Sequence, residues 1–552
     1  MAGKKLKIIP LGGLGEIGKN MMALEYSDDI IVIDAGLMFP EADMLGVDLV
    51  IPDISYLVER SQMVRGILIT HGHEDHTGAL PYVLAQMKVP VYATKLTQGL
   101  ISLKLKEHHL RDKVKLEVVQ PGQAFNLGKF KVEFFRVCHS IPDAAGLIIQ
   151  TPLGIVVHSG DFKLDFTPTD ARPTEFSRLA QLGAGGVLLL LSDSTYVELP
   201  GYTPSERVVG QNLERIMAEA PGRVIITTFA SLVSRIQQVI DAAYKYNRQV
   251  FVIGRRMTEI VRMALELGYL SAPPGVLSRL EQMRHLPLNR IVLLTTGSQG
   301  EPTSALVRIA NRDHPQVRIQ SGDTIVISAS PIPGNEGLIN RTIDNLFRQG
   351  ANVLYDKVAQ VHVHGHGSQE ELKLLISLVR PKFFVPVHGE YRHLSLHARL
   401  AQTLGIPKEN AFVLEDGDIL ALDRERGHIV AKLPVGNVYV DGLGVGDIGH
   451  VVLRDRRMIA QDGIVLAVIT VDKRTGQLVG LPDIVSRGFV DPTDAQALFE
   501  RGRDLVAKAL GHGDGHSAQT DFISKKVKQT LFQFFYNQTK RRPMILPVIV
   551  EV

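Results

Sequence analysis

The sequence predicts an α/β protein of several domains, and three observations carry that prediction. Residues 1 to 205 read as short strands and hairpins; from Glu206 strands alternate with amphipathic helices; after about Ala359 short β elements return, which makes the alternating unit an insertion. At 552 residues the chain is too long for one core, and about two to four domains are expected.

The first element raises an alternative. Leu11 to Lys19 reads "LGGLGEIGK", in which Gly13, Gly15 and Gly18 have the spacing of a dinucleotide-binding turn. Such a turn works only if a helix starts there, with an acid about 20 residues on. The next residues are instead "NMMALEYSDDIIVIDAG": alternation through Asn20 to Tyr26, a Ser-Asp-Asp turn, then a β-branched run from Ile30 to Ile33. That is a hairpin, so the glycines are expected to serve a tight backbone crossing.

Further strands are expected in "VPVYAT", "FKVEFFRV", "GLIIQTPLGIVVHSG" and "VLLLLSDST". The insertion then runs as helix "PSERVVGQNLERIMAEA", strand "RVIITTF", helix "SLVSRIQQVIDAAYKY", strand "QVFVIG", helix "MTEIVRMALELG" and strand "RIVLLTTG". Such alternation implies a parallel sheet covered on both faces. From about Asp462 a hairpin, "GIVLAVITVDKRTGQLVG", leads to another strand, two amphipathic helices and a last strand, with Gly-rich "LGHGDGHSA" between the helices expected as a mobile loop. The expected boundaries are therefore 1–205 and 360–450 for the first domain, 206–359 for the insertion, 451–461 for a linker and 462–552 for a small α+β C-terminal domain.

Net charge is +3, from 61 basic and 58 acidic residues, so nucleic-acid affinity would have to come from local clusters. The one cysteine, Cys138, excludes an intrachain disulfide framework and any Cys-rich metal site. The N-terminus reads as a strand rather than a signal peptide, and no segment approaches the roughly 18 apolar residues of a membrane span. A cytoplasmic protein is expected.

The strongest chemical signal is "ILITHGHEDHTGALPYVLAQM". A buried strand ends in His71, His73, Glu74, Asp75 and His76, and three imidazoles with a carboxylate at a strand end can converge on a small volume. Structural zinc sites close four positions with spaced Cys or His; two adjacent metals with open positions suit this cluster better, His71 and His73 on one, Asp75 and His76 on the other. Further ligands should come after strands, and "FFRVCHSIPDA", "GIVVHSGDFKLD" and "FFVPVHGEY" supply His139, Asp161 and His388, with Asp161 able to bridge both ions. Zinc suits the imidazole-rich set, while manganese or magnesium would tolerate the carboxylates. Glu74 reads as solvated, Cys138 as a small core residue, and His108, His109, His512 and His516 as surface histidines.

"HGHEDH" has the HxHxDH pattern of the metallo-β-lactamase fold, and Asp34 in "VIDAG", His139, Asp161 and His388 match its remaining motifs in order. The resemblance implies that Asp34 supports the metal ligands by hydrogen bonding. The flavin-linked oxidoreductase branch carries glutamate in place of His73, which favours a hydrolase. A metallo-β-lactamase core interrupted by an α/β unit, with an acid after "LLLLS" (Asp193), a histidine in "HGHGS" (His366) and His388 in "PVHGE", resembles the β-CASP nucleases. The strings "TTGSQGEP", "PIPGNE", "GHGSQEELK", "PVHGEYRHL" and "SRGFV" resemble ribonuclease J.

That resemblance implies an αββα metallo-β-lactamase sandwich with an inserted β-CASP domain, and a two-metal ribonuclease acting on single-stranded RNA with Asp75, Asp193 and His366 as its catalytic set. It implies 5′-to-3′ exonuclease activity preferring 5′-monophosphate ends, endonuclease activity, assembly as a homodimer or homotetramer, and association with other RNA-decay proteins. A 5′-phosphate pocket is implied near Ser231, Ser234 and Ser368; helix capping is the plainer reading of each serine. His364 stands where the family usually has a small serine. A lid-gated small-molecule metallohydrolase and a non-catalytic RNA-binding module are the rival readings.

Overall fold

A computed structural model describes residues 4–332, 334–475, 477–511 and 520–552. The chain divides into two compact units, one of residues 1–39 and 49–438, the other of 40–48 and 439–552.

In the larger unit, two sheets face each other. The eight-stranded sheet runs in the order Gly427–Lys432, Asp418–Leu422, Leu6–Gly12, Met21–Tyr26, Asp29–Ile33, Val64–Leu68, Val91–Ala93 and Leu116–Val118. The six-stranded sheet is ordered Pro381–Val387, Val187–Asp193, Gly154–His158, Ala145–Thr151, Phe130–Arg136 and Ala124–Leu127. Alternate residues of both sheets, such as Ile8, Leu24, Ile31, Phe134, Leu147, Leu189 and Phe383, interlock in one core, as the period-2 alternation of strands requires. Residues after the insertion complete both sheets: Leu422 pairs with Leu6 and Phe383 with Leu189.

The insertion has its own sheet, all parallel, in the order Leu277–Ser278, Gln249–Ile253, Ile291–Thr295, Val224–Thr227, Thr324–Ile327 and Asn352–Leu354. One face packs on Val209, Leu213, Ile236 and Ile260 of the first three helices; the other packs on Leu306, Ile309, Ile339 and Ile343. Buried Arg235 ties the insertion's two ends together, pairing with Glu206 at 2.5 Å and donating to the Val361 carbonyl at 3.1 Å.

In the smaller unit, Ile464–Val471 pairs antiparallel with Asp483–Arg487 and parallel with Met544–Glu551, and the helices Pro492–Gly511 and Thr520–Thr539 complete its core. The expected hairpin closes with a short second arm, the Asp472 and Val479 amides donating to the Gln477 and Thr470 carbonyls at 2.8 and 2.7 Å and Leu478 bridging Val471, and the further expected strand is Asp483–Arg487. Gly480, at φ 78°, and Pro482 interrupt the ladder between them. Residues 451–461, expected as a linker, lie within a helix, His450–Asp462, that buries little beyond Leu453; its polar composition hid it. Most of "LGHGDGHSA", with His512 and His516, lies outside the described residues. Among the described residues no helix is long and apolar enough to cross a membrane.

The glycine-rich segment is a crossing, as expected. Gly13, Gly15 and Gly18 all have positive φ, and a Cβ on Gly13 would meet the Asn20 side chain at 2.3 Å. Beneath it, buried Lys19 lies 3.0 Å from Glu16 and 3.8 Å from Asp416, while Glu16 and Asp416 accept the Gly13 and Leu14 amides. Burial, and then the neighbouring Glu16 carboxylate, push the Asp416 carboxyl up from 3.8 to about 7. The folded state therefore holds a proton that the unfolded chain has lost, so this group's contribution to stability falls as pH rises from about 4 to about 7. Asp416→Asn is expected to raise the melting temperature at pH 8 relative to the parent protein and to change it little at pH 4, in thermal melts across that range.

Candidate metal centre

Strand ends build the centre. Asp34 comes directly after Asp29–Ile33 in a left-handed conformation, φ 60°, which a non-glycine residue holds only when its surroundings over-determine it. Here three bonds do so: the carboxylate accepts from the Thr70 amide at 2.8 Å, the Thr70 hydroxyl at 2.9 Å and His76 Nδ1 at 2.8 Å. Asp34 thus holds both ends of the "THGHEDH" loop. With Nδ1–H of His76 donated to Asp34, Nε2 is the atom turned to the centre; burial works to lower this imidazole, but the Asp161 and Asp75 carboxylates raise it well above its ordinary value.

Three donor groups result among the described residues, the third joining Asp193 and His366 to the Asp161 and His388 of the second. His71 Nε2 and His139 Nε2 lie 2.9 and 3.2 Å from His73 Nδ1, and His139 donates its Nδ1–H to the Gly365 carbonyl at 2.8 Å, leaving Nε2 free. Burial holds His71 and His139 well below the ordinary imidazole range and brings His73 down to about 4, so all three rings present lone pairs. The second group joins Asp75, His76, Asp161 and His388, with donor atoms within 4.8 Å of one another. Asp161 Oδ2 stands between the first two groups, 3.1 Å from His76 Nε2 and 3.6 Å from His71 Nε2. Burial works to raise Asp75 and Asp161, yet the imidazoles around them hold both well below the usual carboxylate range.

The donor set fits divalent cations. His388 Nε2 is buried without a hydrogen-bond partner, 3.4 Å from the Asp75 carboxylate; burial works to lower this imidazole, but the Asp161 carboxylate raises it to about 10, so protons on His388 and His76 balance the buried carboxylates where a cation bound to the deprotonated rings would take their place. The structure brings together all seven residues the sequence singled out as ligands.

Asp193 and His366 sit beside the second group: His366 Nδ1 is 2.7 Å from Asp193 Oδ2 and 3.9 Å from Asp161 Oδ2. Burial works to lower the His366 imidazole, but the Asp193 carboxylate raises it above its ordinary value. The arrangement can hold a proton at the edge of the centre.

The other candidates lie further out in their roles. Ser231 and Ser234 flank the start of helix Val233–Lys245, half-buried, and neither caps it by a side-chain hydrogen bond. Ser368 is buried, its hydroxyl 3.0 Å from that of Thr203. His364 stacks on Tyr196, ring centroids 4.0 Å apart. Glu74 is more than solvated: it pairs with Lys104 and lies 3.7 Å from Arg256 of the insertion. Cys138 is buried, and His108 and His109 are exposed.

Facing sheets that carry a His/Asp cluster on their connecting loops define the metallohydrolases of the β-lactamase superfamily. Residues 29–176 match the family described as beta-lactamase superfamily domain, and 351–413 the Zn-dependent metallo-hydrolase RNA specificity domain. Residues 221–346 match the ribonuclease J beta-CASP domain and 451–552 the ribonuclease J C-terminal domain. Ribonuclease J2 of Bacillus subtilis is 44% identical over 550 residues, covering 100% of this chain and 99% of that protein. Ribonuclease J of Thermus thermophilus is 45% identical over 553 residues, covering 99% and 95%. The chain belongs to the ribonuclease J family. A crystal structure of a protein of unknown function from Enterococcus faecalis, 18% identical, shares the fold with a TM-score of 0.54 over 76% of this chain and 100% of that one.

Sequence reasoning missed the residues that brace the centre. Asn20 donates from its backbone amide to the Asp75 carbonyl at 3.0 Å, and its carboxamide nitrogen lies 3.2 Å from His76 Nε2. Glu371, fully buried, accepts the amides of Leu164, Thr203 and Ser368, each at 2.7 Å; Thr203 in turn donates to the His366 carbonyl at 2.7 Å. The Ser368-x-x-Glu371 spacing of a capping box was the available signal. Gly36 had none: a Cβ there would stand 1.6 Å from the Asp75 carbonyl oxygen and 2.8 Å from the Asn20 nitrogen. Gly36→Ala is expected to displace the metal loop and lower zinc retention roughly tenfold or more, with far-UV circular dichroism unchanged; metal content after dialysis measures it.

Proposed function

We propose that this member of the ribonuclease J family is a two-metal ribonuclease that degrades single-stranded RNA from its 5′ end, prefers 5′-monophosphate ends and also cuts internally, in RNA maturation and decay. Its two ions per subunit are zinc, with manganese or magnesium as working alternatives. One ion would be held by His71, His73 and His139 and the other by Asp75, His76 and His388, with Asp161 within reach of both groups. It works in the cytoplasm as a homodimer or homotetramer, alongside other RNA-decay proteins.

The observation that supports this reading most is the 2.7 Å contact between His366 and Asp193 at the rim of the ligand cluster. When bound, the cations supply electrostatic stabilisation of the phosphoryl group and acidify a water. The protein supplies the rest. Asp193 accepts Nδ1–H of His366, which orients Nε2 as the proton donor to the leaving 3′-oxygen; products then carry 5′-phosphate and 3′-hydroxyl ends. Thr203, through the His366 carbonyl, and Glu371, through three amides, hold the donor in place. The Ser368 hydroxyl is already engaged by Thr203, which leaves Ser231, Ser234 and His364 as the side chains to meet the 5′-phosphate.

Incubation with zinc or manganese and 5′-end-labelled, 5′-monophosphorylated RNA is expected to release labelled mononucleotide, and 5′-triphosphorylated RNA is expected to react more slowly. His76→Ala should abolish cleavage. Asp193→Asn should lower kcat by about 10²- to 10⁴-fold with metal content unchanged. RNA left whole in the presence of metal, or His76→Ala cutting at the parental rate, refutes the reading.

A further inference from the structure

Behind the centre lies a histidine that the proposed reaction does not use. His158 ends the strand Gly154–His158 and is 7% exposed. Its Nδ1 accepts the Gly160 amide at 3.0 Å, so the neutral ring carries its proton on Nε2. The turn after it is rigid. Gly160 has φ 59°, and a Cβ there would meet the Ala145 carbonyl at 2.6 Å. Ser159 donates its hydroxyl to the Gly160 carbonyl at 2.6 Å and accepts the Asp193 amide at 3.0 Å. One turn therefore fixes His158, Asp161 and Asp193 relative to one another.

His158 lines a small cavity with Asp34, His76, Asp161, His388 and Asn20, with Met22 and Ile33 among its apolar walls. It has room for one water, and a buried water needs two to four polar partners. The Nε2–H, Asp34 and Asp161 offer one donor and two acceptors, which match the lone pair and two hydrogens of such a water.

We propose that His158 is a positioning residue for the metal centre: its Nε2–H holds a water in this cavity, and that water donates to the Asp34 and Asp161 carboxylates from behind. Their other lone pairs then stay turned toward His76 and the cations. This role goes beyond the proposed function and rests on its metal-centre reading.

Zinc affinity of the full chain, by competition with a chromogenic chelator, tests it. His158→Met keeps volume without a donor; His158→Gln restores an N–H at similar reach. The Met variant is expected to bind zinc about 10- to 100-fold more weakly and the Gln variant within about threefold of the parent, with metal-free melting temperatures of the two variants alike. His158→Asn, whose amide falls short of the cavity, takes the place of Met if that variant does not fold. Parental affinity in the donorless variant overturns the role, as does equal loss in both variants, which marks packing alone. A parent protein that binds no zinc overturns the metal-centre reading instead, and this role with it.

Discussion

Burial of ionisable groups at one end of the sandwich is the constraint on which the rest of the structure depends. Asp34, Asp161 and Asp193 are each 3% exposed or less, and a buried carboxylate without a partner costs several kcal/mol. Each is therefore met by imidazoles, hydroxyls or amides, and the partners come from several strand ends. Asp34 is satisfied by Thr70 and His76, Asp161 faces His71, His76 and His388, and Asp193 faces His366. No loop can move without stranding a charge on another.

That mutual dependence explains why backbone braces are so dense around the centre. The glycine crossing brings Asn20 under Asp75, and Gly36 lets two main chains pass at a separation that no side chain permits. Gly365 does the same beside His139, where a Cβ would stand 2.6 Å from the ring. Glu371 gathers three amides from three chain segments, a charge-assisted arrangement stronger than neutral bonds. The insertion is drawn into the same system, because Arg235 fastens its two ends and Arg256 reaches Glu74 within the metal loop. A domain with its own core and sheet is thus anchored at the residues where its chemistry meets that of the sandwich.

The departure at position 364 fits this picture. His364 lies flat on Tyr196, and His362, two residues earlier in the same segment, is half-buried like it, each with a buried Nδ1 that has no hydrogen-bond partner. Burial, the largest influence on both, brings His364 down to about 4 and His362 to about 3. The lowered rings are neutral, and the Tyr196 ring on which the face of His364 lies also stacks on His366.

Much of this was legible in the order of residues. Strand periodicity, the switch to strand–helix alternation at Glu206 and the density of "HGHEDH" are local patterns, written in side chains two to four positions apart, and local geometry reads them directly. His139, Asp161 and His388 were legible because each comes after an apolar run. The misreading was also local: the helix His450–Asp462 is polar overall and buries little beyond Leu453, so it reads as a linker. The sequence by itself determined which elements form, which residues could bind a cation, and that the insertion is parallel. Only the tertiary structure decided which lone pairs face one another, that Asn20, Gly36, His158 and Glu371 stand behind the ligands, and that Asp193 meets His366 across 173 residues. Those relations depend on close approach between chain segments distant in sequence, which no local period encodes.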